Sequence, residues 1–439
     1  MLRRFKRPNG GGPRFVTVLL LTIWAASCMP NAQENTVVPL PFTPSLGPSP
    51  TATVVPAITQ TLVLAPRPTD GLGYLPQVKY VAVILDRGVE PPDRNHRGWP
   101  EFSIEIYRYP QPEPVFRLSQ EGVSYAFPAF SPDGYWMAYV EDRKALTTGI
   151  GQARVRMIST DWRVDRPLTD WFETSSGGSW VRQLRWSSDG RWLAFQHYRQ
   201  GNDSSKVYVV NVNTGELRLI GDGVRQMVWS PHDPVRLAFF FRGPTQQLYL
   251  ATVDDLEHPQ EVDLSEAVYP AVLTWRPDGT QLILCACKTY ACAQTAPSLW
   301  LVDAAHLAAA VVYRNAPRCG GFAWSPDGLW LANSGGEWGG GKANDILYYS
   351  TVDWETVRKQ PGEPAEGIEW VGNETILFSE VTDMAGGPST GQYDSHRLVA
   401  GSVEGFSQVL WDPRDVGLPE RIRGKLDFFG IVWYVPAGR

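Results

Sequence analysis

The stretch that decides the fold is Trp324-Ser-Pro-Asp-Gly-Leu-Trp-Leu-Ala-Asn333. Proline presets φ at the first corner of a turn, and aspartate can accept a hydrogen bond from the backbone two residues on. Glycine takes the positive φ that a short hairpin loop with a bulge requires. Strand-forming residues follow the turn. The segment therefore predicts a tight β-hairpin.

The same segment recurs along the chain. Its six copies begin at Phe130, Trp186, Trp229, Trp275, Trp324 and Trp370. The starts are 56, 43, 46, 49 and 46 residues apart, with a mean of 48. The third and sixth copies carry His232-Asp233-Pro234 and Gly372-Asn373-Glu374 in place of Pro-Asp-Gly, and these are still turn residues. A repeat of this length predicts a β-propeller or a related array.

Each copy is followed by two or three further apolar segments. The third strand of each repeat is expected at residues 155–158, 207–210, 248–251, 299–302, 346–349 and 397–400. A weaker fourth segment is clearest at residues 166–169 and 215–220. Four antiparallel strands in each repeat make one propeller blade.

The two ends of the repeat region predict a seventh blade. Segments Val78–Leu85, Phe102–Tyr109 and Val115–Leu118 match strands two, three and four of a blade without a motif strand. Leu426–Val435 is one strand without a partner. Pairing the two closes the ring and removes its exposed edges. We therefore predict an all-β fold over residues 76–439, a propeller of seven four-stranded blades; six or eight are the alternatives, since terminal repeats diverge.

The Trp-Ser-Pro-Asp-Gly copies give the chain a family resemblance. Over about residues 120–380 it resembles the tryptophan-aspartate-like (WD-repeat-like) repeats of the TolB propeller family, which also cover the lid propellers of prolyl oligopeptidases. This resemblance implies the fold and is unspecific for function. The N-terminal α/β domain of TolB has no counterpart here, so partnership with the Tol–Pal system is not implied.

The N-terminus predicts export. Residues 1–14 hold five Arg or Lys, and the uncharged run Phe15–Ser27 follows, which is typical of a signal peptide at residues 1–27. As a helix this run would reach about 20 Å, short of the roughly 30 Å hydrocarbon core, so a transmembrane span is the weaker alternative.

Ala25-Ala26-Ser27-Cys28 resembles a bacterial lipobox, which implies a lipidated Cys28. Ala25 departs from the usual Leu, and an ordinary cleavage site with an incidental cysteine is the alternative. Residues 28–75 are rich in Pro, Thr and Ser and predict an extended tether. We expect a lipid-anchored, extracytoplasmic protein of the bacterial cell envelope, whose anchor makes the membrane one of its partners.

Charge and cysteine content limit the partners and the chemistry that the protein can have. The chain has a net charge of −6, and its positive N-terminus leaves an acidic remainder, which argues against nucleic acid as a partner. Cys285, Cys287, Cys292 and Cys319 are an even number in an exported chain, so disulfides are expected. Loop geometry favours Cys285–Cys319 with Cys287–Cys292 among three connectivities. A four-thiolate zinc site is the alternative, although this spacing is unusual for it.

Other motifs give no catalytic, cofactor-binding or metal-binding residue. Gly387-Pro-Ser389-Thr-Gly391 matches a nucleophile elbow but lacks the strand–turn–helix context, and glycine-rich Gly335–Lys342 lacks a following Ser or Thr. The histidines lie scattered over the repeats: His96, His197, His232, His258, His306 and His396. Trp136, Trp192 and Trp330 recur two residues after the motif glycine, and we expect them to pack between blades.

The sequence thus predicts a non-catalytic module that binds an envelope protein or a glycan. One alternative is a propeller-based carbohydrate-active enzyme, a lyase or hydrolase, whose acids would come from loops. The loop acids available for it are Glu337, Asp345, Asp383 and Asp394. The other alternative is a structural envelope protein.

Overall fold

A computed structural model of the chain describes residues 78–86, 102–111, 113–144, 151–174, 180–198, 205–241, 247–264, 268–288, 296–316, 319–334, 345–360, 365–383, 392–393, 395–412, 424–425 and 431–434. All belong to one compact unit that spans residues 66–439. The predicted signal peptide, Cys28 and the tether lie outside the described residues. Within the described ranges the regular structure is β-strand, and no helix there is long and apolar enough to cross a membrane.

The chain enters the fold with three strands of one sheet. These are β1 (Tyr80–Asp86), β2 (Phe102–Arg108) and β3 (Pro114–Leu118). The last strand of the chain, β31 (Ile431–Tyr434), completes this sheet in the order β3-β2-β1-β31. Tyr80 lies opposite Tyr434, and Val83 lies opposite Ile431. This sheet, blade 7, confirms the predicted closure between the two ends of the chain.

Six motif-bearing blades lie between these ends. Blade 1 holds β4 (Val123–Phe130), β5 (Trp136–Lys144), β6 (Gly151–Ser159) and β7 (Asp165–Pro167), with β8 (Phe172–Thr174) added along β6. Blade 2 holds β9 (Trp180–Trp186), β10 (Trp192–Tyr198), β11 (Ser205–Asn211) and β12 (Leu217–Asp222). Blade 3 holds β13 (Val224–Trp229), β14 (Arg236–Phe241), β15 (Leu248–Thr252) and β16 (Asp255–Glu261).

The other three blades repeat this order. Blade 4 holds β17 (Tyr269–Trp275), β18 (Gln281–Cys287), β19 (Ser298–Asp303) and β20 (Ala308–Tyr313). Blade 5 holds β21 (Phe322–Trp324), β22 (Trp330–Asn333), β23 (Ile346–Ser350) and β24 (Val357–Gln360). Blade 6 holds β25 (Ala365–Trp370), β26 (Thr375–Asp383), β28 (Ser395–Ser402) and β29 (Ser407–Trp411), while β27 (Gln392–Tyr393) pairs with β30 (Gly424–Lys425). The seven-bladed all-β fold predicted from the repeats is confirmed.

The motif turns have the predicted chemistry. In blade 5 the carboxylate of Asp327 accepts hydrogen bonds from the Ser325 hydroxyl at 2.5 Å and from the Leu329 N–H at 3.0 Å. The Trp330 N–H in turn donates to the Ser325 hydroxyl at 2.9 Å. Gly328 has φ +69°, the left-handed value that the hairpin requires. The turn therefore satisfies its polar groups with local hydrogen bonds. The same motif can form the same turn in every blade.

The core lies between blades, where each sheet packs its face on the next. One cluster joins blades 1 and 2 through Val140, Leu193 and Phe195. Another joins blades 3 and 4 through Phe240, Leu284 and Trp300. Because both faces of a blade are buried, its second strand carries a continuous apolar run, as in the fully buried Leu282–Leu284. This arrangement leaves the inner strands and the two ends of the ring for recognition.

Candidate functional site: the channel ring and a cavity on blade 4

The first strand of every blade lies at the centre of the ring. From β4 to β25, neighbouring first strands contact one another, and β31 contacts β4, so these strands surround a channel. Each motif aromatic residue faces an apolar residue of the second strand, as in Trp186 opposite Leu193. Trp433 faces Val81 in the same way. Trp433 is thus the seventh motif aromatic residue, which the sequence analysis did not identify because no Pro-Asp-Gly follows it.

Four of the motif tryptophans are hydrogen bonded to the blade before their own. The Trp186 indole N–H donates to the Ala129 carbonyl at 2.9 Å, and that of Trp229 donates to the Arg185 carbonyl at 3.0 Å. Equivalent bonds run from Trp275 to Val228 at 3.3 Å and from Trp370 to Ala323 at 2.8 Å. We call this contact the indole latch. It fixes the spacing of the first strands and therefore the geometry of the channel.

The residue before each motif aromatic residue forms what we call the channel ring. Its members are Ala129, Arg185, Val228, Thr274, Ala323, Glu369 and Val432. Arg185 and Glu369 are its only ionisable members. Both side chains are exposed to solvent, although their strands lie at the centre of the ring. Burial lowers the pKa of the Arg185 guanidinium. Burial raises the pKa of the Glu369 carboxyl, and the neighbouring Trp433 indole partly offsets this rise.

A second polar group lies on the second and third strands of blade 1. Glu141 is 2% exposed and accepts contacts from Arg143 at 2.6 Å, Arg154 at 2.8 Å and Arg156 at 3.3 Å. The ring of Trp171 lies 5.0 Å from the Arg143 guanidinium and 4.2 Å from that of Arg154. Because one carboxylate serves three cations, the cluster is a closed ion-pair network that holds the β5–β6 hairpin together.

Asp142, the next residue along β5, lies in a different environment. Burial raises the pKa of its carboxyl to about 7, and no cation of the described residues pairs with it. It lies near the end of β5, whereas Glu369 lies at the end of β25 that leads into the motif turn. Since β5 begins at that turn, the two carboxyls lie toward opposite ends of the ring.

The predicted aromatic positions have a structural role. The Arg166 guanidinium lies 5.9 Å from the Trp136 ring and donates to the Val212 carbonyl of the next blade at 2.6 Å. Arg218 does the same between Trp192, at 5.3 Å, and the Val253 carbonyl, at 2.7 Å. In blade 5, Arg358 lies over Trp330 and pairs with Glu404 of blade 6. These tryptophans therefore join blades through an arginine.

The structure contains a disulfide, as the cysteine count led us to expect. Cys285 of β18 is bonded to Cys319, which precedes β21, and this bond joins blades 4 and 5. Cys287 is also in a disulfide, while Cys292 lies outside the described residues. Thr274 would be the latch acceptor at this same boundary, but the Trp324 N–H has no partner. The disulfide thus lies where the indole latch is missing.

The other residues considered as candidates for a catalytic or metal site do not lie together. Asp345 pairs with Lys359 at 2.6 Å. Asp383 ends β26, whereas Glu337, Asp394, Ser389 and residues 335–342 lie outside the described residues. His197 packs on Phe172 with 5.2 Å between ring centroids. In the part of the chain that the structure describes, no group of three or more His, Cys, Asp or Glu is placed to hold a metal ion.

The remaining histidines are distributed over surface turns and strands. His258 and His306 each lie within 2.9 Å of an aspartate, Asp255 and Asp303 respectively. The pKa of His258 is raised because it hydrogen bonds to that carboxylate. His232 is exposed in a motif turn, and His396 lies in β28. His96 lies outside the described residues. Among the described residues these histidines form no cluster that could hold a metal ion.

Blade 4 carries a cavity of about 340 Å³ at the end of the ring away from the motif turns. Four chain segments meet there: the start of β17, the end of β18, the start of β19 and the end of β20. Its polar lining consists of Lys288, Ser298, Trp300, Arg314 and Asn315. Trp300 is 2% exposed, and its indole N–H has no hydrogen-bond partner. No sequence motif marks this site, so it was not predicted.

The fold places the chain among β-propeller proteins. No family model matches it. A protein named "Uncharacterized peptidase YuxL", from Bacillus subtilis, is 30% identical over 223 residues, which are 48% of this chain and 29% of that protein. The chain therefore spans less than a third of the length of this curated relative.

Two solved structures are similar to the chain at low sequence identity. TolB from Acinetobacter baumannii is 12% identical, with a TM-score of 0.43 over 77% of this chain and 80% of that one. The β-propeller domain of the Trilobed protease from Pyrococcus furiosus is also 12% identical, with a TM-score of 0.47 over 67% of this chain and 85% of that one.

Proposed function

We propose that the chain is a non-catalytic binding module that recognises a protein or a glycan at the bacterial cell envelope. The observation that carries this proposal is the separation of Asp142 and Glu369, the two described carboxyls whose pKa is raised. General acid–base catalysis needs an acid and a base around one substrate, typically about 5 to 10 Å apart in glycosidases.

Asp142 lies six residues along β5 from its start at the motif-turn end, which corresponds to about 20 Å of strand. Glu369 lies at the motif-turn end itself. Within the described residues these two carboxyls therefore do not share a substrate, and Glu141 is held by three arginines. A rigid ring with connecting segments at both ends suits recognition better than turnover.

The test is a screen of the purified chain against glycan and peptide libraries, with binding and ligand cleavage measured in the same samples. We expect saturable binding without cleavage. Glu369→Gln and Asp142→Asn remove the two carboxyls with little change in shape, and Asp161→Asn, at an exposed turn of blade 1, is the matched control. Cleavage that either of the first two variants abolishes, with folding intact, would make the protein an enzyme. The relative named as a peptidase makes peptide cleavage the outcome to watch.

The location at the envelope is also part of the proposal. It is supported by the basic start, the apolar run Phe15–Ser27 and the lipobox-like residues before Cys28. Cells that express the full chain should incorporate labelled palmitate into it, and Cys28→Ala should abolish the label. A labelled Cys28→Ala protein would show that the chain is not anchored at this residue.

A further inference from the structure

Exposed apolar side chains are concentrated on blades 5 and 6. Of the nine large apolar side chains that are exposed among the described residues, five belong to these two blades: Leu329, Val352, Val357, Phe406 and Val409. Three of the five lie at turns on the motif-turn end of the ring. Leu329 follows the motif glycine of blade 5, Val352 lies in the β23–β24 turn, and Phe406 lies in the β28–β29 turn of blade 6. We call these three residues the turn patch.

Hydrogen bonds join the turns of blade 5 to those of blade 6. The Thr351 N–H donates to the Leu329 carbonyl at 3.0 Å, which links the two turns of blade 5. The Arg358 guanidinium donates to the Glu404 carboxylate at 2.5 Å and so links β24 to the turn that carries Phe406. The turn patch is therefore one surface on neighbouring turns, and adjacent exposed apolar side chains indicate an interaction site where single ones do not.

The motif turn of blade 6 belongs to the same surface, because the Val403 N–H donates to the Glu374 carbonyl at 3.3 Å. The turns themselves are held locally. The Leu329 N–H donates to the Asp327 carboxylate at 3.0 Å, and the Phe406 N–H donates to the Ser402 hydroxyl at 3.3 Å. The surface is thus preformed, so a partner pays little ordering entropy when it binds there.

Carboxylates surround the turn patch. The four turn segments, residues 325–329, 350–358, 371–375 and 402–409, contain five acidic residues and one basic residue, which gives them a net charge of −4. The acidic residues are Asp327, Asp353, Glu355, Glu374 and Glu404. The basic residue, Arg358, pairs with Glu404. Among the described residues no cation forms an ion pair with the other four carboxylates.

This charge decides which occupant the turn patch can take. A second copy of the chain would bring the same negative charge against it, and an anionic lipid surface would also be repelled. The predicted tether, residues 28–75, has Arg67 against Glu34 and Asp70, so it cannot neutralise the surface. The fitting occupant carries apolar side chains together with an excess of Lys or Arg.

We propose that the turn patch docks a basic segment of a partner protein, with apolar side chains of that segment against Leu329, Val352 and Phe406 and its Lys or Arg side chains at the surrounding carboxylates. This inference rests on the proposed binding function and names the face and the chemistry of the partner. Phe406 is the aromatic member of the patch, and aromatic side chains supply a large share of the affinity at protein interfaces.

Titration of the full-length chain with a short synthetic peptide of alternating lysine and leucine tests the proposal. In one control peptide glutamate replaces lysine, and in the other serine replaces leucine. We expect saturable binding of the lysine–leucine peptide that weakens with added salt, since salt screens the charge contacts. Each control peptide should bind about tenfold more weakly or not at all. A lysine–leucine peptide that binds no better than either control would overturn the proposal.

Apolar variants locate the binding. Phe406→Ser and Val352→Ser each remove an exposed apolar side chain, and each should weaken binding of the peptide about fivefold to tenfold. Val164→Ser, at the corresponding exposed turn of blade 1, is the matched control and should leave binding unchanged. Equal losses in the variants and in this control would contradict the assignment.

A charge variant tests the carboxylates. Glu355→Gln should weaken binding of the lysine–leucine peptide about twofold to fivefold, the range of an exposed ion pair. Glu121→Gln, an exposed carboxylate just before β4, is the matched control and should have no effect. Binding that is unchanged in Glu355→Gln and in the apolar variants would place the peptide elsewhere and overturn the proposal.

The outcomes also separate this inference from the proposed function. If Phe406→Ser does not fold, as judged by circular dichroism, Val352→Ser carries the test. Binding of a glycan or peptide in the screen that these variants leave unchanged, without patch-dependent binding of the lysine–leucine peptide, would overturn the turn patch and leave the binding module in place. Cleavage that depends on Glu369 or Asp142, with patch-dependent peptide binding, would do the reverse.

Other occupants have their own readouts. Phosphatidylglycerol vesicles that bind the parent chain but not Phe406→Ser would assign the turn patch to lipid and contradict the proposal. Self-association of the parent chain that Phe406→Ser abolishes, measured by sedimentation, would assign it to a second copy and contradict the proposal in the same way.

Discussion

At the scale of single residues, the motif tryptophans differ in one hydrogen bond. Trp370 and Trp324 occupy the same position in adjacent blades, and both are buried. The Trp370 N–H donates to the Ala323 carbonyl at 2.8 Å, whereas the Trp324 N–H has no partner. A comparison of Trp370 with Trp324 therefore measures how much the indole latch contributes to stability.

We predict that Trp370→Phe destabilises the protein by about 1 kcal/mol more than Trp324→Phe, because only the first change removes a hydrogen bond. Both changes remove the same ring volume, so this loss is common to the two variants. Urea denaturation of the two variants and the parent chain gives the difference. Equal losses of unfolding free energy would show that packing alone joins the blades.

Asp142 makes stability depend on pH. Its pKa in the folded chain is about 7, above the ordinary value of 3.8, so folding favours the protonated form. The stability is therefore fully present below about pH 4 and is lost as the pH rises toward 7. Asp142→Asn should abolish this loss and stabilise the chain by about 1 to 3 kcal/mol at pH 8 relative to the parent.

Thermal unfolding at pH 4 and pH 8 measures this effect. Asp170→Asn, at an exposed position of the same blade, provides the control and should leave the difference between the two pH values as it is in the parent. If Asp142→Asn changes the stability by the same amount at pH 4 and at pH 8, Asp142 is ionised in the folded chain without an energetic cost.

At the scale of elements, blades 4 and 5 are joined by a covalent bond instead of a latch. The Cys285–Cys319 disulfide closes a span of 34 residues. We predict that Cys285→Ala/Cys319→Ala lowers the unfolding free energy by about 3 to 4 kcal/mol, since the unfolded chain regains the entropy of the open loop. Denaturant titration of the double variant under oxidising conditions, against the parent, measures this loss. An unchanged midpoint would contradict it.

The repeats predicted the blades because their turns are locally determined. Ser131, Asp133 and Gly134 satisfy one turn among themselves, so the motif identifies a hairpin wherever it occurs. The cavity on blade 4 was not predictable in this way. Lys288, Trp300 and Arg314 meet only through the pairing of three strands, and no local pattern records that meeting.

The charged members of the channel ring were missed for the same reason. Arg185 and Glu369 are 184 positions apart and belong to blades 2 and 6. They occupy equivalent positions in the first strands of these blades, and this equivalence follows only from strand register. Trp433 faces Val81 without the turn that marks the other motif aromatic residues. Sequence patterns report local geometry, whereas these groups depend on the closure of the ring.

At the scale of the whole molecule, ring closure depends on four residues of β31. We predict that deletion of residues 424–439 lowers the melting temperature by about 5 °C or more, or causes aggregation, because the edge of β1 loses its partner. Deletion of residues 44–59, an equal length from the predicted tether, is the control and should leave the melting temperature unchanged. Equal melting temperatures for both deletions would show that the ring is stable without β31.

The pairing of β31 with β1 also has a consequence for biosynthesis. Tyr80 emerges from the ribosome 354 residues before Tyr434, the residue it faces in the finished sheet. At translation rates of about 5 to 20 residues per second, this interval lasts roughly 20 to 70 s. The first blade to be started is thus the last to be completed, and until then its β1 edge is open to any strand that a nascent neighbour presents. A cell that makes this protein needs to keep that edge covered, or the chain unfolded, until translation ends.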